Sequence, residues 1–182
     1  KQIGTAMSVR KLARPDGANV EKDLLLLLEQ RPVRVPHDSF RLLDMQRVSW
    51  RINFPGQPFS RNAFLAALER GAAADSMYVY ELRGRIVAWL WLSFRWPRSK
   101  AHVRHIQVAR KHWGKGIGHY VMEQAMAICR ERGCDYITLN VTKSNERAMQ
   151  LYRGLGFSVL SSDEDRQYMR CSLHGSPDRD SG

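Results

Sequence analysis

Long apolar runs are missing from this 182-residue chain. The longest, Leu24–Leu28 and Val87–Phe94, fall far short of the roughly 20 residues that span a bilayer, so a soluble protein is expected. Cysteine is scarce as well. Cys129, Cys134 and Cys171 cannot form a disulfide framework, and none stands at zinc-ligand spacing from another Cys or His. No metal is therefore expected, and a reducing cytoplasm is the natural compartment. No basic-then-apolar signal peptide is expected after Met7. Because Met7 opens the segment that continues Ser8-Val9-Arg10, residues 1–6 read as an expression leftover, residues 7–174 as one domain and the polar tail 175–182 as frayed.

Acidic residues are the third shortage. Lys plus Arg number 29 against 18 Asp plus Glu, a formal charge of +11. Between Glu81 and Glu123 there is no acid at all, while Arg83, Arg85, Arg95, Arg98, Lys100, Arg104, Arg110, Lys111 and Lys115 fall in that stretch. An anionic partner is implied. Apolar residues at 43% and charged residues at 26% are ordinary for a globular domain, so disorder and fibrous folds are excluded. A chain of this length buries roughly 70% of its unfolded surface and needs no covalent staple.

Hydrophobic period then divides the chain. Ser8–Ala13 alternates and reads as a first strand, and Asn19–Gln30 reads as a helix stopped by Pro32. Asp38-Ser39 can cap a helix carrying Phe40, Leu43 and Val48; Ser60 can cap another that halts at Gly71. Ser76–Leu82 and Arg85–Phe94 are β-rich runs joined by Arg83-Gly84, a hairpin signal, and Ala101–Val108 is a further strand. From Gly116 the helical period returns until Gly133. Tyr136–Val141 is a strand, Ser144 can cap a helix closed by Gly156, and Phe157–Leu160 and Gln167–Leu173 finish as strands. The class is α/β (α+β): a mixed, mostly antiparallel sheet of six or seven strands with helices on both faces.

The most informative segment runs from Val108 through Trp113-Gly114-Lys115-Gly116-Ile117-Gly118. A strand ends there, and a turn with three alternate glycines opens a helix. Such a turn cradles an anion, because glycine lets backbone N–H groups approach closely and the helix N-terminus carries about half a positive charge. Spacing excludes two other phosphate loops. A dinucleotide fingerprint needs glycine where His119 stands, and no Gly-x-x-x-x-Gly-Lys-Ser/Thr is present.

That turn resembles the donor motif of the GNAT (GCN5-related N-acetyltransferase) superfamily, Arg/Gln-x-x-Gly-x-Gly/Ala, with Trp113 where Arg or Gln is usual. A second block, Leu139-Asn140-Val141 followed by Asn145, Ala148, Leu151-Tyr152 and Leu155-Gly156-Phe157, is similar to another motif of the family. The resemblance covers roughly Ser8 to Leu173 and implies the GNAT fold. It also implies acetyl-CoA as co-substrate. Ile106, Gln107 and Val108 would offer backbone groups to its pantetheine arm, and Gly114, Lys115, Gly116, Ile117, Gly118 and His119, with Trp113, would hold its pyrophosphate. Asn145 would contact the coenzyme, and Tyr152 would lie near its sulfur as the catalytic acid.

The implied reaction is acetyl transfer to a primary amine of a small molecule, peptide or protein, by direct attack in a ternary complex. Members that acetylate ribosomal-protein N-termini carry a Glu base where this chain has Asn140. His105, on the central strand and with an ordinary pKa of about 6.5, is the expected substitute. The segment Asp38–Arg70 and the loop around Phe94–Lys100 are expected to shape the acceptor site. Being basic and aromatic, they favour an acceptor with a carboxylate or phosphate over a polycation. Monomer and homodimer both remain open, and no membrane partner is expected. Two rivals stand beside this reading: an acyl-CoA-binding GNAT fold without catalysis, and a basic nucleic-acid-binding module. The second leaves both motifs unexplained.

Overall fold

The computed structural model describes residues 23–95 and 99–174. In chain order it runs β1 (Leu28–Pro32), α1 (Ser39–Asn53), α2 (Arg61–Ala74), β2 (Ser76–Leu82), β3 (Arg85–Arg95), β4 (Lys100–Val108), α3 (Ile117–Glu131), β5 (Tyr136–Thr142), α4 (Glu146–Gly154), β6 (Ser158–Ser162) and β7 (Arg166–Ser172). The seven strands form one sheet in the order β1-β2-β3-β4-β5-β7-β6. Only β4 and β5 pair in parallel. The mixed, mostly antiparallel sheet is thus as the sequence predicts. Arg83 and Gly84 both take positive φ, 51° and 70°, the geometry that matches a two-residue hairpin to strand twist.

Helices cover both faces. On one face α3 buries Ile117, Val121, Met122, Ala125 and Cys129 against Val103, Ile137 and Leu139. On the other, α1 and α2 bury Leu42, Leu43, Phe64 and Leu68 against Val79, Trp89 and Trp91. Each helix presents one apolar stripe, as a 3.6-residue period requires.

Several local expectations are corrected. Ser8–Ala13 lies outside the described residues, as do Trp96 and the tail. The predicted helix 19–30 is helical only over 23–26 among the described residues, and β1 then begins at Leu28. Leu28 pairs with Leu82 and Pro32 with Tyr78, so the edge of the sheet claims the end of the leucine run. Asp38 precedes α1 without capping it through its side chain. Its carboxylate turns back instead to the Arg31 guanidinium (2.7 and 3.0 Å) and the Arg34 N–H (2.7 Å). Burial pushes Asp38 up, but these donors more than offset that and hold it well below the usual carboxylate range. Phe40, placed in the apolar set of α1, is 79% exposed. It stands about half a turn round the helix from Leu42, which is fully buried. Asn145, not Ser144, caps α4, accepting the Ala148 N–H at 3.3 Å.

Gly71 does not end α2, which continues to Ala74. The glycine is there for space: a Cβ would stand 2.1 Å from Cζ2 of Trp91, whose indole N–H donates to Asp75 at 2.8 Å. Gly71→Ala should therefore destabilise the protein by about 1–3 kcal/mol, although Ala is the better helix former by about 1 kcal/mol. Denaturant unfolding measures this. A stabilised variant would show that Trp91 does not fill that space.

Candidate active site

The site begins with an interrupted pairing. β4 and β5 pair only from Lys100↔Tyr136 to Val103↔Leu139, yet β4 runs on to Val108 and β5 to Thr142. Beyond Val103 the two strands part and leave a gap. A bulge in β4 lies at the fork: Trp91 pairs with His105 and Leu92 with Val103, so Arg104 is the extra residue. The Ala109 N–H donates to Val87 O (2.7 Å). Strand alternation therefore aims the N–H and C=O of Val108 away from β3, into the gap.

The gap is one wall of a cleft of about 390 Å³. Eleven of the twelve residues expected to hold the coenzyme line it: Ile106, Gln107 and Val108 from β4, Trp113, Gly114, Gly116, Ile117, Gly118 and His119 from the turn and α3, and Asn145 and Tyr152 at α4. Lys115 does not. It faces a second cavity, on the side of the β2–β3 hairpin.

The geometry of the turn could hold an anion. Gly114 and Gly116 have φ of +75° and +73°, where a side chain would be strained. A Cβ on Gly116 would find protein no nearer than Leu25 at 3.8 Å, so its conformation, not crowding by protein, calls for glycine. α3 has no side-chain cap and no acid in its first turn, so its leading N–H groups keep their donors for a ligand. Trp113 donates its indole N–H to Val108 O at 2.6 Å and ties the turn to the end of β4. The Arg147 guanidinium lies 5.1 Å from the Trp113 ring and restores a cation near the position where the family motif has Arg or Gln.

Sequence reasoning missed two parts of this cleft. Arg147 sits two residues after Asn145, and only its place in α4 hinted at a role. The opposite wall comes from α1, with Ser49 and Asn53 among its residues, and no local signal marks it. Asn53 accepts from Asn145 Nδ2 (3.3 Å), and its backbone carbonyl accepts from Thr142 Oγ1 (3.3 Å). These bonds close α1 onto the ends of β5 and α4.

Tyr152 is 7% exposed and lines the cleft. Burial alone raises its pKa above the ordinary phenol value, so it stays protonated across the working pH range. His105 is placed differently from the expectation and is not among the residues lining the cleft. Its ring stacks on Trp89 (5.3 Å between centroids, 14° between planes), with Trp91 at 5.3 Å and Phe64 at 6.4 Å. Burial, helped by the charge of Arg104, brings its pKa down to about 4. These surroundings count against a base. Asn140 is exposed on β5, opposite Tyr168 of β7. All three cysteines are buried, and burial pushes the Cys129 thiol up to about 12. None is poised as a nucleophile. Among the described residues no cluster of metal-binding side chains occurs, and no helix is long and apolar enough to cross a membrane.

Known proteins share this fold. The family model described as Acetyltransferase (GNAT) family matches residues 40–157. Streptothricin acetyltransferase of Streptomyces lavendulae is 34% identical over 80 residues, covering 44% of this chain and 42% of that protein. Mycothiol acetyltransferase of Propionibacterium freudenreichii is 26% identical over 183 residues, covering 88% of this chain and 58% of that protein. The chain thus spans about half the length of these curated relatives. The PaiA N-acetyltransferase of Thermoplasma acidophilum, solved with coenzyme A, has the same fold: TM-score 0.68 at 18% identity, over 80% of this chain and 98% of that one. YncA of Salmonella typhimurium, solved with acetyl-CoA, gives 0.63 at 18%, over 84% and 98%. With more than half of its residues inside the family match, the chain belongs to the acetyltransferase (GNAT) family.

Proposed function

We propose that the protein transfers an acetyl group from acetyl-CoA to a primary amine by direct attack in a ternary complex. The observation that carries this reading is the fork between β4 and β5. It aims the Val108 N–H into a cleft that the start of α3, with its N–H groups free of a side-chain cap, and Tyr152 also line. The coenzyme A and acetyl-CoA held by PaiA and YncA support the choice of co-substrate. Thermal melting with and without acetyl-CoA, followed by an amine panel watched through thiol release, tests it. No rise in melting temperature, or no thiol released with any amine, would refute it.

The chemistry follows from proton affinities. A primary amine with a pKa near 10 is almost wholly ammonium at neutral pH and must lose a proton before it attacks. Its nitrogen then bonds to the thioester carbon, and the Val108 N–H stabilises the charge gathering on the carbonyl oxygen. The C–S bond breaks, Tyr152 gives its proton to the departing thiolate, and the proton that the nitrogen sheds as the amide forms passes to solvent water, from which Tyr152 regains its own. Acetyl-cysteine chemistry on the enzyme has no nucleophile to support it. The acid-free stretch has a use here, since coenzyme A carries a pyrophosphate and a 3′-phosphate. An acceptor bearing a carboxylate or phosphate also suits the basic, aromatic surroundings of the α1–α2 loop.

His105 has a packing role in this reading. With a pKa of about 4 it is neutral, and a weak base, at every pH where the enzyme is assayed. The acidic limb of turnover should then follow the acceptor's own pKa, rising about tenfold per pH unit below it. A less basic amine should move the limb down by its difference in pKa, and His105→Asn should not change its position. A limb fixed near pH 6 to 7 whatever the amine, and lost in His105→Asn, would restore His105 as the base.

A further inference from the structure

Arg166 opens β7 opposite Thr142, at the end of β5 where α1 closes onto the cleft. Its guanidinium lies 5.4 Å from the ring of Phe54, the residue that ends α1. Phe54 in turn packs on Trp50 at 4.4 Å, and Trp50 on Phe59 at 5.7 Å. The Nε of Arg166 is buried and has no hydrogen-bond partner. The neighbouring carboxylate, Asp163, feels the charge of Arg166 without forming an ion pair with it within 4 Å. Asp163 Oδ1 is taken by the backbone N–H groups of Asp165 (3.0 Å) and Arg166 (2.7 Å).

Within the sheet, the strand residues beside Arg166 carry no negative charge. Strand alternation puts Thr138, Asn140 and Thr142 of β5 on the same face as Arg170, Tyr168 and Arg166 of β7. None of the six is a carboxylate, and Lys100 from β4 adds a further cation 5.4 Å from the Tyr168 ring. Asn53 joins this face to the coenzyme cleft: it lines the cleft, and its carbonyl accepts from Thr142, the partner of Arg166. A cation held against an aromatic plane, with a desolvated donor left over, fits a planar or tetrahedral oxyanion.

From this geometry we infer that Arg166, braced by Phe54, is the residue that selects the acceptor: an amine carrying a carboxylate or phosphate group, whose anion pairs with the guanidinium while its nitrogen enters the fork. The inference rests on the acetyl-transfer reading and deepens it. Polyamines are disfavoured by the same charge, because their second ammonium would meet Arg166.

The test compares primary amines of similar size that differ in the group at the other end: anionic in 4-aminobutyrate and O-phosphoethanolamine, uncharged in butylamine and cationic in putrescine. In the parent protein kcat/KM should be highest for an anion and lowest for putrescine. Comparing the two anions tells carboxylate from phosphate. In Arg166→Gln the ratio of kcat/KM for the better anion to that for butylamine should fall about 10- to 100-fold, mainly through KM, the loss expected for a hydrogen-bonded charge pair. Arg166→Lys should recover part of it. The rise in melting temperature given by acetyl-CoA should persist in both variants, which separates failure of this inference from failure of the coenzyme site. If no amine is turned over, the better anion should still raise the melting temperature of the coenzyme A complex in the parent and not in Arg166→Gln. Equal loss for every amine in Arg166→Gln, or a parent that neither prefers nor binds the anions over butylamine, overturns the inference.

Discussion

Gly116→Asp should abolish the rise in melting temperature that acetyl-CoA gives the parent, while leaving the free protein folded. Gly116 is the N-cap of α3 at φ +73°, and aspartate is among the few residues that tolerate the left-handed region. Aspartate is also a favoured N-cap, so its carboxylate would take the α3 N–H groups for itself. The donors meant for the pyrophosphate would be occupied, and a negative charge would stand where the ligand brings its own. At a ligand concentration of 100 times the parent Kd, the stabilisation lost is about 2.7 kcal/mol. Gly116→Asn, which caps without charge, should lose part of the effect and divide donor occupancy from repulsion. Undiminished stabilisation in folded Gly116→Asp would place the pyrophosphate elsewhere.

Tyr152→Phe should lower turnover about 10- to 1000-fold, around the range for one positioned acid, with the acetyl-CoA melting shift little changed. The ring is held on Phe157 (5.8 Å between centroids), so packing survives the change. The hydroxyl contributes through its position, because burial raises its pKa and makes proton release harder on its own. A thiolate formed beside it and partly desolvated there would be raised as well, and transfer is coupled to its departure. Turnover equal to that of the parent would leave Tyr152 as a core aromatic and give the thiolate its proton from solvent.

What could be read from the sequence were features carried by neighbours in the chain. The Arg83-Gly84 turn, the glycines before α3 and the periods of α3 and β5 all declare themselves within a dozen residues. Leu24–Leu28 could not be resolved that way, since five identical apolar residues carry no period and the partner that makes Leu28 a strand residue, Leu82, is distant. The setting of His105 is hidden for a different reason. Unbroken alternation puts it on one face with Ala101 and Val103, but the extra residue at Arg104 turns it towards Trp89 and Trp91. A one-residue bulge leaves no mark in composition. The α1 wall of the cleft and the Phe54–Arg166 contact join segments far apart in the chain, so neither Asn53 nor Arg166 could be singled out from its local sequence. The glycine at 71 looked like a helix stop because the ring that needs the space belongs to β3.

The central claim is that acetyl-CoA and the amine meet in one cleft and react directly. Initial rates of thiol release, with acetyl-CoA and the best amine of the panel both varied, test it most directly. Reciprocal plots should give lines that intersect, and release should depend on the amine. Parallel lines would mean that an acetyl group resides on the protein between two half-reactions, contrary to the buried, unreactive cysteines and to this account.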